Sequence, residues 1–433
     1  MVVCLRNALK YTVTAIWPLL FGQPVSEHII AHVERFLLLG TALAISKIVS
    51  MTTQIFLGRQ LGAARYGDVS IVLLLASYFS LPMASGWGLA FIRKASTEAS
   101  TKAKLQALKA VLAVAGVASA LTIMILLVFR NSIAAALKLD HPMMTMTIAM
   151  TVGYAWWNLS KQIAQAFQNW RIFTCIDIGS SVITLSGSLI VISWHGAGLL
   201  PVCTVFLIGY FFSGLAQYAR VRAAIGERVF RPHIRTTLSH GIFLLFSGLV
   251  GMAAFCIDRF LIFRFLGSQE VGIYQAHFLA TYGIGSSLTT VVITYLFPIF
   301  CQDHQNVMFT GLKRFEKRQY PFTIALSVLF GIIVMFLYKY PIENSLFVCL
   351  CLFAGLQINI QIKSYYLAGK GTHATRHTLI AQILFLVFNV ATLTATIKRF
   401  GILAGGLSLV TASMAAIIYL SKVEREIIRE RAV

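Results

Sequence analysis

Residues Arg59-Gln60-Leu61-Gly62-Ala63-Ala64-Arg65-Tyr66-Gly67 are echoed later in the chain by Arg264-Phe265-Leu266-Gly267-Ser268-Gln269-Glu270-Val271-Gly272. The arginine, the leucine and both glycines recur at a constant offset of 205 residues. Each copy lies between two charge-poor runs long enough to be helices, so the motif marks equivalent helix junctions. Gly196 and Gly401 keep the same offset. At such junctions glycine supplies a tight turn with positive φ that residues with a Cβ resist. The chain therefore reads as a duplication, residues 36–220 against 237–421.

The solvent follows from composition. Of 433 residues, 58% are hydrophobic and 12% charged, where a soluble domain carries about 25% charged residues. Such a chain cannot cover its surface with polar groups, so lipid is its solvent and helices are its spans. Segments able to cross fall near 36–58, 68–92, 105–129, 143–168, 173–193, 198–219, 237–263, 272–298, 319–338, 342–367, 375–397 and 401–421. The expected fold is an all-α integral membrane protein. Its twelve transmembrane helices form two six-helix bundles, related by a pseudo-two-fold axis along the membrane normal. An even number of spans in each half points both halves the same way.

Outside the bundles, residues 1–35 are expected to form a cytoplasmic or interfacial extension, with Ser26 and the amphipathic stretch Glu27 to Arg35 making an interfacial helix. Residues 221–236 are expected to be a basic cytoplasmic linker, and 422–433 a cytoplasmic tail. Tyr11 to Gly22 is too short for a cleavable signal peptide and no small-residue cleavage site follows it.

The formal net charge of +21 would suggest nucleic acid in a soluble protein. In a membrane protein it signals orientation and cavity lining, and no nucleic-acid partner is expected. With the N-terminus inside, 24 of the 36 lysines and arginines fall on the cytoplasmic side, eight opposite and four within spans. That bias places both termini in the cytoplasm. The seven cysteines are scattered through apolar segments without ligand or disulfide spacing, so no metal or cofactor is expected.

The four basic residues within spans are Lys47, Lys161, Arg259 and Lys363. A lysine or arginine at the bilayer centre costs about 2.5–3.5 kcal/mol on insertion scales, so such residues face a cavity or pair with a neighbour. Lys47 has uncharged runs of 11 residues on both sides. It either lines a cavity or is held by neighbouring helices. Lys161 and Lys363 stand at an offset of 202, within about two turns of the cytoplasmic end. Facing each other they would hold a pyrophosphate as two point charges; alternatively each snorkels to the interface, or Lys161 pairs with Asp177. Asp258 and Arg259 are sequence neighbours, and helical neighbours do not face one another, so each needs its own partner. Asp258 and Asp177 are the carboxylates available for proton or sodium coupling. A structural pair with a basic residue of the other half is the alternative for Asp258.

Other features carry less. His28 and His32 lack a third ligand. Trp170, Trp194, Tyr218, Tyr338 and Tyr340 fall at helix ends, where an aromatic belt is expected. Trp156 and Trp157 read as packing, and His277 as a hydrogen-bonded core histidine.

The motif Gly58-Arg-Gln-Leu-Gly-x4-Gly67, and its echo from Asp258-Arg259 through Arg264, Gly267 and Gly272 to Tyr274, resembles the polysaccharide (O-antigen type) flippases. These belong to the multidrug/oligosaccharidyl-lipid/polysaccharide (MOP) exporter superfamily. The resemblance covers about 390 residues in length and repeat arrangement. It implies a MATE-like pair of bundles around a cationic cavity that opens alternately to each side. It further implies a polyprenyl-pyrophosphate-linked oligosaccharide as substrate, moved from the inner to the outer leaflet of a bacterial inner membrane during lipopolysaccharide O-antigen or related polysaccharide biosynthesis. The implied partners are the lipid-linked oligosaccharide, membrane lipids and polysaccharide polymerase machinery. The N-terminal extension departs from the family pattern.

Two other function classes make demands on the sequence. A drug or cation antiporter of the same superfamily requires acidic residues in the cavity, but basic residues in spans outnumber aspartates four to two. A membrane enzyme acting on lipid-linked glycans requires catalytic groups outside the bilayer. The longest outer loop, Arg130 to Pro142, holds one carboxylate, Asp140, and no acid/base pair. A major facilitator arrangement would place glycine between spans two and three, and 93–104 has none. The expected activity is transport without catalysis. A topology reporter fused after Leu139 is expected outside and one fused within 228–235 in the cytoplasm; finding both on one side contradicts the six-plus-six arrangement.

Overall fold

In a lipid solvent every backbone donor and acceptor must be satisfied within the chain, and the protein meets that requirement with helices alone among the described residues. The structure is a computed structural model that describes residues 27–98, 100–195, 198–227, 231–302, 307–370 and 372–432. Gly196 and the side chains of His28 and His32 lie outside the described set.

In chain order the helices of the first half are α1 (Glu27–Phe79), α2 (Leu81–Thr97), α3 (Thr101–Val128), α4 (Arg130–Leu137), α5 (His141–Ala166), α6 (Trp170–His195), α7 (Leu199–Gly214) and α8 (Tyr218–Gly226). Those of the second half are α9 (Arg231–Leu266), α10 (Ser268–Gln302), α11 (Val307–Tyr338), α12 (Asn344–Lys370), α13 (Thr372–Phe400) and α14 (Leu403–Ala432). Nine helices among the described residues are long and apolar enough to cross a membrane. The protein is therefore a multi-pass membrane protein. The expected segments 68–92, 143–168 and 272–298 are also helical but are not separate members of that nine, so twelve spans remains a proposed count. Large apolar side chains such as Val128, Phe336 and Ile418 point outward, as lipid contact requires.

Three boundaries differ from expectation. Glu27 to Arg35 is continuous with the first long helix instead of forming a separate interfacial one. Residues 221–226 close α8 and 231–236 open α9, so the basic linker is largely helical. The expected tail continues α14 to Ala432. At Arg35 and at Ser421 no Gly or Pro stands at the expected junction to break the helix, and polar helix can extend past the apolar core into water. Within the linker, by contrast, α8 stops at Gly226 and Pro232 lies in the first turn of α9.

The repeated motif has two jobs. Gly62 breaks the α1 rod at φ 73°, ψ 166°, a combination open in practice only to glycine. Gly267 takes φ 97° at the equivalent place, where its N–H closes α9 on the carbonyls of Ile262 and Phe263. Gly401 also has positive φ, at 56°. The second glycine of each copy does something else. A Cβ on Gly67 would strike the carbonyl oxygen of Ser268, and a Cβ on Gly272 would strike that of Ala63. Ala63 and Ser268, like Gly67 and Gly272, are 205 residues apart. The helix after Gly62 and the helix after Gly267 thus cross backbone to backbone, each repeat contributing the same patch. Ser268 Oγ donates to Asp68 Oδ1 at 2.8 Å across this seam.

The halves also meet at the opposite end of the bundle. A Cβ on Gly86 of α2 would lie 2.6 Å from the carbonyl oxygen of Gly241 in α9, and one on Gly241 would lie 2.5 Å from the Trp87 ring. Outside the spans, Lys94 pairs with Glu98 at 2.7 Å and holds that carboxyl below its usual range.

Gly62→Ala is expected to cost about 1–3 kcal/mol, the range for a residue forced into such backbone space. Gly272→Val is expected to cost about 1–3 kcal/mol through overpacking of the crossing. Gly116→Ala, where nothing lies within 4 Å of the added Cβ, should be neutral or stabilising. Thermal unfolding in detergent, monitored by size exclusion, checks all three.

Candidate functional site

Three helices of the first half converge on one carboxylate. Asp177, near the start of α6, accepts from Lys161 Nζ of α5 at 2.6 Å through Oδ1. Its Oδ2 accepts from Ser46 Oγ of α1 at 2.8 Å. Ser46 Oγ also lies 2.9 Å from Ser181 Oγ, one turn further along α6. Both side chains of the ion pair are 16% exposed. Lys161 Nζ sits 4.1 Å from the centre of the Trp157 ring and 5.2 Å from that of Phe173, adding cation–π attraction to the pair. Trp157 itself packs with Tyr154 and Tyr210.

Lys47 follows Ser46 in the chain and is half-buried. It stands within electrostatic reach of both Asp177 and Lys161. No hydrogen bond or ion pair ties its ammonium to another described residue. The local charge is two lysines against one aspartate, a net positive site made from α1, α5 and α6.

Lys363 occupies the corresponding depth in the second half, on α12, but its partner is different. It pairs with Glu424 of α14 at 2.5 Å and lies 3.4 Å from Ser421 Oγ. The two lysines that match in the repeat are therefore each neutralised within their own half. The alternative of a Lys161–Asp177 bridge is what the structure displays.

Asp258 and Arg259 on α9 are almost completely buried, at 0% and 4% exposure. Each finds its own partner, as helical geometry demands. Asp258 Oδ2 accepts from the Tyr274 hydroxyl at 2.6 Å, and Oδ1 accepts from the backbone N–H of Arg259 at 2.8 Å. The expectation that Asp258 pairs with a basic residue of the other half fails, because Tyr274 of the next helix reaches it first. The Arg259 guanidinium lies 3.7 Å from the centre of the Phe278 ring and donates to the carbonyl of Phe255 at 3.0 Å. Its Nε and second terminal nitrogen have no hydrogen-bond partner among the described residues. Around it Phe255, Phe278, Tyr282, Phe353 and Phe385 form a connected aromatic cluster.

Tyr338 and Tyr340 do not join an interfacial belt. Tyr338 is 1% exposed, and its hydroxyl meets that of Tyr66 at 3.0 Å. Tyr66 also donates to Gln54 Oε1 at 3.2 Å, while Tyr340 donates to the Gly58 carbonyl at 2.7 Å. These tyrosines clasp the end of α11 to the Gly58–Gly67 motif beside the glycine crossing. Nothing in sequence spacing marks Tyr66 for this role, since its partner lies 272 residues away. Arg264 reaches the other half by donating to the Ala136 carbonyl at 2.9 Å, whereas Arg59 is exposed. Trp194 and Tyr218 are exposed, in keeping with a belt. His277 is a core residue: Nδ1 bonds the Ile273 carbonyl at 2.9 Å, and Nε2 accepts the Glu343 N–H at 3.1 Å. No group of three metal-ligating side chains occurs among the described residues.

A family model described as "Polysaccharide biosynthesis protein" matches residues 33–304. No curated protein sequence matches the chain significantly. Among solved structures, an inward-facing multidrug resistance MATE family transporter of the MOP superfamily aligns with a TM-score of 0.68 at 13% identity, over 91% of this chain and 96% of that one. The lipid II flippase MurJ, in an inward closed conformation, aligns with a TM-score of 0.65 at 16% identity, over 90% and 87%. A MOP superfamily transporter from Pyrococcus furiosus, described as having a binding pocket of reverse polarity, aligns with a TM-score of 0.59 at 14% identity, over 90% and 95%. These likenesses show a MATE-like fold.

Lys161→Met strands the Asp177 carboxylate in a largely buried place and is expected to cost about 3–5 kcal/mol. Lys161→Met combined with Asp177→Asn should recover most of that loss. Thermal midpoints of the single and double variants in detergent check the pair, and equal loss in both contradicts it.

Proposed function

The chain belongs to the polysaccharide biosynthesis protein family, and we propose that it flips polyprenyl-pyrophosphate-linked oligosaccharide repeat units from the inner to the outer leaflet of a bacterial inner membrane. The observation that carries this is the half-buried Lys47 ammonium, without an ion-pair partner among the described residues, beside a second lysine on α5. An anionic carrier headgroup supplies the charge that such a site lacks. Arg259, whose Nε and second terminal nitrogen are buried without a hydrogen-bond partner among the described residues, is the second cation we assign to phosphate oxygens when the bundles part, and Lys363, held here by Glu424, the third. Fixed cations on rigid helices bind phosphate without large reorganisation.

The proposed cycle is alternating access, with the two bundles rocking about a substrate held between them. With both termini cytoplasmic, the Gly67–Gly272 crossing and the Tyr66–Tyr338 clasp lie at the outer end and would part when the cavity opens outward. Asp258, held by Tyr274, is the carboxylate we assign to ion coupling. The substrate class fits O-antigen or related surface glycans, and polymerase machinery would receive the flipped unit.

Deleting the gene in a strain without a second flippase should abolish surface glycan and accumulate lipid-linked repeat units on the cytoplasmic leaflet. In the complemented strain, Lys47→Met should express normally and fail to restore the glycan. Lys47→Arg should restore a substantial part, since a point charge matters more here than shape. Surface glycan measured beside membrane protein level checks the series. Full transport by a well-expressed Lys47→Met protein overturns the assignment of Lys47 to substrate.

A further inference from the structure

Asp177 is an expensive residue to place here. A carboxylate inside a membrane protein costs several kcal/mol to desolvate unless its neighbours compensate it. The protein compensates it on every side: Lys161 on Oδ1, Ser46 on Oδ2, and Lys47 close by. A purely structural pair would have needed one lysine and one aspartate. This site has a spare cation, Lys47, next in the chain to the Ser46 that holds Oδ2 and within electrostatic reach of the carboxylate.

From this geometry we propose that Asp177 is a built-in competitor for the substrate's pyrophosphate. The inference rests on the reading of Lys47 and Lys161 as substrate cations. In the empty protein Asp177 occupies Lys161 and, through Ser46, pins α1 to α6. A pyrophosphate carries more negative charge than a carboxylate and offers more acceptor oxygens, so it takes both ammonium groups. Asp177 then faces a neighbouring anion, and its bond to Ser46 is the contact that repulsion loosens. Binding is thereby converted into release of α1, the helix that leads to Gly62 and the inter-half crossing. When the substrate leaves, Asp177 reclaims Lys161, which limits product retention and restores the empty state.

The competitor role has a signature that a structural brace lacks: removing it tightens binding while slowing transport. The probe is farnesyl pyrophosphate, with farnesol as the uncharged control, titrated against purified full-length protein by fluorescence of the tryptophans, Trp157 lying against Lys161. Asp177→Asn is expected to bind farnesyl pyrophosphate about tenfold more tightly than wild type, equivalent to about 1.4 kcal/mol. Surface glycan in the complemented deletion strain should fall. Ser46→Ala, which loosens Asp177 without removing it, should shift affinity the same way by less, and serves if Asp177→Asn does not fold. Adding Lys161→Met should abolish the tightening. Unchanged or weaker pyrophosphate binding by a folded Asp177→Asn or Ser46→Ala protein overturns the competitor role. If wild-type binding depends on Lys47, that result leaves the substrate reading standing. A wild-type protein that binds farnesyl pyrophosphate no better than farnesol overturns both.

Discussion

Lipid offers no hydrogen bonds, and that constraint organises this protein more than any single contact. It forces the described chain into helices and makes each charge within a span find a partner or a cavity. Lys161, Lys363 and Asp258 obey by pairing inside their own half, with Asp177, Glu424 and Tyr274 respectively. Among the described residues Lys47 and Arg259 obey only in part, one half-buried without an ion-pair partner and the other over an aromatic ring with two nitrogens lacking a hydrogen-bond partner. The functional reading grows from those two exceptions.

The glycine junctions match between the two copies of the motif, while the charged residues Asp258 and Arg259 have no charged counterpart. The glycine motif is preserved because its geometry is shared: any Cβ at Gly67 or Gly272 meets backbone from the other repeat. Backbone cannot repack around an intruding atom as a flexible side chain can. The charges are not preserved in the same way. The positions 205 residues before Asp258 and Arg259 are Thr53 and Gln54. Gln54 meets Tyr66 near the clasp, whereas Arg259 meets Phe278 and the carbonyl of Phe255. Matching glycine junctions thus frame an interior whose charges do not match, as would suit the proposed substrate, which has a charged end and a neutral glycan.

The seams between the halves differ in chemistry. At the Gly62 end they include a backbone crossing, a serine–aspartate hydrogen bond, a pair of tyrosine hydroxyls, and donations from Tyr340 to the Gly58 carbonyl and from Arg264 to the Ala136 carbonyl. At the other end Gly86, Gly241 and Trp87 pack closely, with Arg93 and His240 in contact at 3.4 Å. Neither seam relies on an ion pair among the described residues. Hydrogen bonds and small-residue packing can be broken and remade without stranding a charge in low dielectric, which suits interfaces that open and close.

Much of the fold was legible in the chain itself. Apolar run length gave the helices, because bilayer thickness sets a minimum that sequence displays directly. The 205-residue offset marked the glycine junctions, and positive φ at Gly62 and Gly267 is a local backbone property that a glycine announces. Four things were settled only by tertiary structure. Whether Lys161 faces a cavity or an aspartate depends on the rotation of α5 against α6, and an uncharged run of residues carries little information about helix rotation. Asp258 turned to Tyr274 instead of to a base in the other half for the same reason. Tyr338, read as a belt residue from its place at a helix end, is buried because the Gly58–Gly67 motif comes to it through space. And Gly67 and Gly272, read as parts of a turn, are where the two halves cross backbone to backbone. Spacing along a chain reports what one helix needs, while the partner of a side chain is fixed by which other helix arrives beside it.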